Sequence, residues 1–243
     1  SGANVTVSVS VAASSAFDAA GNGNFASSKL TVLYDTLPPT PVISTSVHVP
    51  TNKASIPVTV TFPEPVSGFS AAGVLVSGAT LSGFARAAGS TTVFTFSLAP
   101  TALYGWLNVT VVAGAASDGA GNLNQAVTFL MLHDDVPPTV SLNTTADSPS
   151  STNPIPFFAT FSKPVTGFSA AALVITGGSL TSNSFAGSGA VYSFSVTPSA
   201  KVVTVNVSVP ANVAQDAATN LNLATSGLSI RHGARSIGFV ACL

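Results

Sequence analysis

Charge is the scarcest commodity in this sequence. Seven basic and eight acidic residues make up 6% of 243, with a net charge of −1, where an average soluble protein carries roughly a quarter of charged residues. The surface must therefore be built mainly from Ser, Thr, Asn, Ala and Gly. The basic residues Lys29, Lys53, Arg86, Lys163, Lys201, Arg231 and Arg235 are scattered singly, so no basic stripe is available to neutralise phosphates or anionic lipid. Nucleic acid and membrane surfaces are therefore poor partners, and neither nucleic-acid binding nor membrane insertion is expected. A lone cysteine, Cys242, rules out an internal disulfide framework and a cysteine cluster for metal; it is either a buried thiol or the first cysteine of something further along. Long apolar runs are missing too. Mean hydropathy is +0.53, yet Ser, Thr, Gly or Pro interrupts every apolar stretch before it reaches bilayer length. The opening "SGANVT" lacks the basic start and apolar run of a signal peptide, so either a signal was removed or the chain begins mid-protein.

What is present is a repeat, which favours the second of those readings. "PPTPVISTSVHVPTNKASIPVTVTFPEPVSGFSAAGVLVSGATL" from Pro38 is answered by "PPTVSLNTTADSPSSTNPIPFFATFSKPVTGFSAAALVITGGSL" from Pro137. "DGAGNLN" at Asp118 returns as "DAATNLN" at Asp216, with a further copy, "DAAGNGN", at Asp18. The expected organisation is the C-terminal strands of a partial repeat plus linker at 1–37, whole repeats at 38–136 and 137–233, and the start of a different segment at 234–243. The partial repeat is completed either by preceding residues or by strands donated from a neighbouring molecule.

Within a repeat the dominant period is two. In "VVTVNVSV", Val203, Val205, Val207 and Val209 share one face and Thr204, Asn206 and Ser208 the other, the signature of a strand with one buried side. By the same parity Val5, Val7, Val9 and Val11 are expected to point inward. Roughly seven short, turn-punctuated strands per repeat describe a two-sheet sandwich of immunoglobulin type. Phe62, Phe94, Phe96, Phe161 and Phe194 are placed to fill the space between the sheets, and Tyr104 and Trp106 are read as local packing. Between repeats stand "LYDTLPPT" and "LHDDVPPT", whose paired prolines stiffen the joint. The fold expected is all-β: tandem immunoglobulin-like β-sandwich repeats arranged as a rod.

The order "D…PPT…FS.PV.GFSA…V.GG.L…F.V.P…V.V.VP…A.DAAGN" resembles the bacterial-type immunoglobulin-like repeats of very large extracellular adhesins. Similar repeats occur in algal surface proteins, and the Ala/Ser/Thr/Val bias is similar to that of mastigoneme-like glycoproteins. The resemblance covers residues 1 to about 232. It implies a cell-surface location and a role as stalk, adhesin or filament subunit, with self-association or neighbouring filament subunits as partners. "IRHGARS" departs from the pattern, so the array is expected to end near Arg231.

Candidate chemistry is sparse. Asn4, Asn108 and Asn206 each open an N-glycosylation triplet at nearly one spacing, and Asn143 opens a fourth; strand parity puts them on the solvent face, so N-linked glycans are expected there. Glycans would also guard sheet edges that carry little lysine. Asp18, Asp118 and Asp216 in "D-x-x-[GT]-N" have the look of a calcium loop, but with so few acids in the chain an Asx-type turn is the favoured reading, with Gly or Asn in the left-handed position. Asp35, Asp134 and Asp135 lie at joints where the resemblance implies calcium. No cofactor is otherwise expected. Glu64 and Lys163 share one repeat position with opposite charge, which argues against a common chemical role. His48, His133 and His232 lack a Ser/Asp arrangement at a repeated position and are read as surface residues. No phosphate-binding or cofactor fingerprint appears, and no enzyme is expected.

Overall fold

The computed structural model describes residues 4–233, Asn4 by its backbone only. Cys242 and the segment 234–243 lie outside the described residues. The chain divides into two compact units. The first takes the described residues up to Val47, Ala54–Ala102 and Trp106–Met131; the second takes His48–Lys53, Leu103–Gly105 and the described residues from Leu132 onward.

The first unit opens with β1 (Asn4–Val9) antiparallel to β2 (Leu30–Asp35), Asn4 opposite Asp35 and Val9 opposite Leu30. There follow β3 (Val42–Thr45), β4 (Ile56–Thr61), β5 (Val74–Ser77), β6 (Ala79–Arg86), β7 (Val93–Pro100), β8 (Tyr104–Val111), whose first two residues fall to the second unit, and β9 (Val127–Asp134), whose last three do. These seven pair as a four-stranded sheet, β3-β4-β7-β6, and a three-stranded sheet, β5-β8-β9. In β4 the period of two appears as burial of Ile56, Val58 and Val60, with Val58 opposite Phe96 and Val60 opposite Phe94 on β7. Leu107, Val109 and Val111 of β8 and Met131 of β9 close the core from the other sheet. Phe62, Phe69 and Phe94 meet edge to face with ring centroids 4.9–5.9 Å apart, an arrangement worth about 0.5–1.5 kcal/mol per pair beyond burial.

The second unit repeats the plan with β10 (Val140–Asn143), β11 (Ile155–Val165), β12 (Val174–Thr176), β13 (Gly178–Leu180), β14 (Ala186–Pro198), β15 (Val203–Ser208) and β16 (Leu228–His232). Its sheets are β10-β11-β14-β13 and β12-β15-β16. Phe161, Phe168 and Tyr192 stand where Phe62, Phe69 and Phe94 stand in the first unit. The β11–β14 register shifts between Thr160 and Val165, a stretch containing Pro164, which has no N–H to give to the ladder.

Three expectations are corrected. Val5, Val7, Val9 and Val11 are 47–62% exposed: the parity is right, but among the described residues no second sheet faces β1. Tyr104 and Trp106 are 59% and 65% exposed on β8 and are not packed. His133 and His232 are buried, at 4% and 9%, because β9 and β16 carry them inward at one repeat position; His133 bridges in parallel to Thr51, and His232 to Ser150.

Candidate functional site

The chemistry of each unit gathers where the chain enters its first complete strand and where the D-x-x-[GT]-N loop turns. The loop is built alike in all three copies. Asp118 Oδ1 accepts the Ala120 and Asn122 N–H groups, both at 2.9 Å, and its Oδ2 accepts Asn122 Nδ2 at 2.8 Å. Asp18 is bonded to Ala20 and Asn22 in the same way, and Asp216 to Ala218 and Asn220. The aspartate thus caps its own turn, the Asx geometry expected from sequence. Gly21 and Gly121 take the left-handed position at φ 85° and 91°, but in the third copy Thr219 occupies it at φ 70°, where Gly or Asn was expected.

Two residues further on, an asparagine does work that sequence reasoning did not assign. Asn222 is fully buried; its Oδ1 accepts the Val213 and Ala214 N–H groups and its Nδ2 donates to Pro210 and Leu223 carbonyls, all at 2.9 Å. Asn124 and Asn24 make three of these four bonds: the Oδ1 accepts the Ala116 or Ala16 N–H, and the Nδ2 donates to the Val112 and Gln125 or the Ala12 and Phe25 carbonyls. The side-chain amide stands in for a missing strand partner and satisfies backbone groups that would otherwise be buried without one. Its signal in the sequence is the second Asn of "GNGN", "GNLN" and "TNLN".

Beside the Asx loop the units differ in charge. In the second unit Lys163 Nζ donates to Asp134 Oδ1 and Oδ2, both at 2.9 Å, to Asp216 Oδ2 at 3.1 Å and to the Val136 carbonyl at 2.6 Å. Burial works against the lysine's charge, but the two carboxylates outweigh it and hold its pKa above the usual lysine value. Burial likewise works against the Asp216 anion and is outweighed by Asn220 and Lys163, so its pKa lies below the ordinary one. Asp134 is therefore engaged by an ammonium rather than free for calcium, and Asp135 is exposed beside it. In the first unit the same place holds Asp35, Glu64 and Asp118, whose nearest carboxylate oxygens lie within 4.8 Å of one another. Burial, then the charges of Asp118 and Asp35, push the Glu64 carboxyl up, while hydrogen bonding by Asn122 keeps Asp118 low. Glu64 and Lys163, set apart by sequence reasoning, thus meet equivalent aspartates.

The glycosylation triplets are dispersed and form no common site. Asn143 is exposed at the end of β10. Asn206 is exposed on β15, where its Nδ2 donates to Thr176 Oγ1 at 3.0 Å and its Oδ1 accepts the Ser229 hydroxyl. Asn108 is half-buried on β8, opposite Ser77. Asn108 and Asn206 are equivalent, each ten residues before its Asx aspartate, but that place in the partial repeat belongs to Ser8, and Asn4 lies four residues earlier. The matching of all three does not hold.

No curated protein matches the chain. Among solved structures, the N-terminal part of the bacterial S-layer protein SbsC is similar at 16% identity over 82% of this chain and 45% of that one, with a TM-score of 0.31. The adhesin InvE of Yersinia pseudotuberculosis is similar at 13% identity over 81% and 58%, with a TM-score of 0.28. The chain spans about half the length of these two proteins. The bacterial Ig-like domain matches residues 35–130 and again 134–231. With two consecutive copies covering most of its length, the chain belongs to the bacterial Ig-like domain family.

Proposed function

We propose that this chain is a structural segment of an extracellular surface protein, a stalk or filament subunit strung from Ig-like repeats, with N-linked glycans at Asn4, Asn108, Asn143 and Asn206. The observation that carries the reading is the pairing of tandem bacterial Ig-like domains with strand faces of Ser, Thr and Asn that are almost free of charge. Such faces suit lateral packing or sugar attachment better than binding of a charged ligand. Glycosylation requires a source with an N-glycosylating secretory route.

Glycopeptide mass spectrometry on native material, combined with light scattering of the purified protein, tests this reading. Occupied triplets and concentration-dependent assembly are the expected outcome; bare asparagines on a protein that stays monomeric at high concentration would sink it. Adhesion is the second reading, favoured by the exposed Tyr104 and Trp106 on β8, where the second repeat has Val202 and Thr204. Exposed aromatics of this kind serve as stacking surfaces for ligands. Retention on immobilised glycans that is lost on Trp106→Ala would move the assignment to adhesion.

A further inference from the structure

The chain's single tryptophan stands in water on β8. One exposed aromatic is ordinary by itself; what sets Trp106 apart is its neighbour on the strand. The period of two puts Trp106, Asn108 and Thr110 in a row on one face of β8, while Leu107, Val109 and Val111 turn to the core. Asn108 and Thr110 are the acceptor and the hydroxyl residue of a glycosylation triplet. The attachment point for a sugar and the exposed indole are thus successive positions on one face, about 7 Å apart along the strand. The equivalent asparagine of the second unit is held differently. Asn206 Nδ2, the atom that takes a glycan, donates to Thr176 Oγ1 at 3.0 Å, and its Oδ1 accepts the Ser229 hydroxyl. In Asn108 the oxygen is engaged, accepting the Thr110 hydroxyl at 3.3 Å, and Nδ2 donates to no group among the described residues. The rest of the face changes in step: Thr204 stands where Trp106 does, and Ser229, which lies opposite Asn206, stands where the exposed Leu130 does.

We propose that, given the glycosylation of Asn108 on which this rests, the first sugar ring linked there lies against the Trp106 indole, so that the first unit carries an internal sugar-aromatic stack that the second unit lacks. A pyranose presents weakly positive C–H groups on one face and the indole face is negative, so the two attract while apolar area leaves water. Covalent attachment also holds the sugar at a high effective concentration, which offsets the ordering cost that makes a free monosaccharide a weak ligand. Trp106 then acts as a platform for the chain's own glycan, fixing the direction in which the sugar leaves the sheet. A glycan from another molecule would meet the same chemistry, and the experiment separates the two sources.

The experiment uses the whole chain secreted from a eukaryotic host, its glycans trimmed enzymatically to a single N-acetylglucosamine, beside the Asn108→Gln variant treated alike. Mass spectrometry reads the occupancy of Asn108. Because Trp106 is the only tryptophan, acrylamide quenching of indole fluorescence reads this position directly. The glycosylated parent is expected to show about half the quenching constant of the variant and a first-unit melting midpoint about 2–5 °C higher. In a Trp106→Ala background Asn108→Gln should leave the midpoint unchanged, since the sugar then has nothing to lie against; an indole with a merely structural role would lower both forms equally. Should Asn108→Gln fail to fold, removing the sugar from the parent with a peptide N-glycosidase gives the same comparison. Asn108 occupied, with equal quenching and equal melting in parent and variant, overturns the stack and leaves the glycosylation standing, whereas a bare Asn108 overturns both. Protection of the indole in parent and variant alike by about 1 mM added chitobiose, no more than a short tether supplies, assigns the sugar to another molecule and overturns the stack as well.

Discussion

At the scale of single residues, polar side chains that replace backbone hold the chain around each Asx loop. Asn222 bonds four main-chain groups in a fully buried setting. Truncating it to Ala strands those groups, so Asn222→Ala is expected to cost the second unit about 2–4 kcal/mol in urea unfolding, against about 0.5 kcal/mol or less for an exposed serine such as Ser179. Thr219 offers the opposite test. At φ 70° a β-branched residue bears roughly 1–2 kcal/mol of strain, of which glycine's greater unfolded freedom gives back about 0.5–1. Thr219→Gly should therefore stabilise the second unit by about 0.5–1 kcal/mol, visible as a higher urea midpoint at unchanged slope. Sequence alone made the Asx turn legible, because its aspartate, glycine and spacing are local chemistry. It did not reveal the asparagine clasp or the burial of His133 and His232, since both depend on which strands lie across from them.

At the scale of elements, the alternation of Val with Thr, Ser and Asn was enough to place the strands and to sort their faces. It could not say whether a face is covered. Val9 and Val207 occupy one repeat position, yet Val9 is 62% exposed and Val207 is 1% exposed, because β15 has a sheet across the core from it and β1 has none among the described residues. Val207→Thr is expected to destabilise by about 1–2 kcal/mol, the cost of putting a hydroxyl where nothing solvates it. Val9→Thr should leave thermal melting within experimental error. Equal losses at both positions would show that β1 is covered in solution. The aromatic cluster follows the same logic: Phe62, Phe94, Phe96, Phe161 and Phe194, placed between the sheets by their alternation, are all buried, and Phe69 and Phe168, which sequence reasoning did not single out, are buried with them.

At the scale of the whole molecule, what stands out is how few charges there are and how concentrated their effect is. Lys163 carries much of the second unit's dependence on pH. Asp216 titrates below its unfolded value of 3.8, so its contribution is present above that pH and is lost as pH falls through the lower folded value. Lys163 titrates above 10.5, so its contribution is present below that pH and is lost as pH rises through the folded value. Denaturant midpoints should fall at both extremes, and Lys163→Met should remove the alkaline limb while costing about 2–3 kcal/mol at neutral pH by leaving two carboxylates side by side. The sequence showed the scarcity of charge plainly but not this pairing, which joins residues 29 and 53 positions apart. The same scarcity governs how the protein meets digestive enzymes that cut after Lys or Arg. Of the six such positions described, Arg86, Lys163 and Arg231 lie inside β6, β11 and β16, and Lys163 is followed by proline, which blocks the cut. Among the described residues only Lys29, Lys53 and Lys201 sit in connecting chain, where a protease can draw out the extended stretch it needs; a surface built almost without cations leaves trypsin-like enzymes three places to begin within residues 4–233.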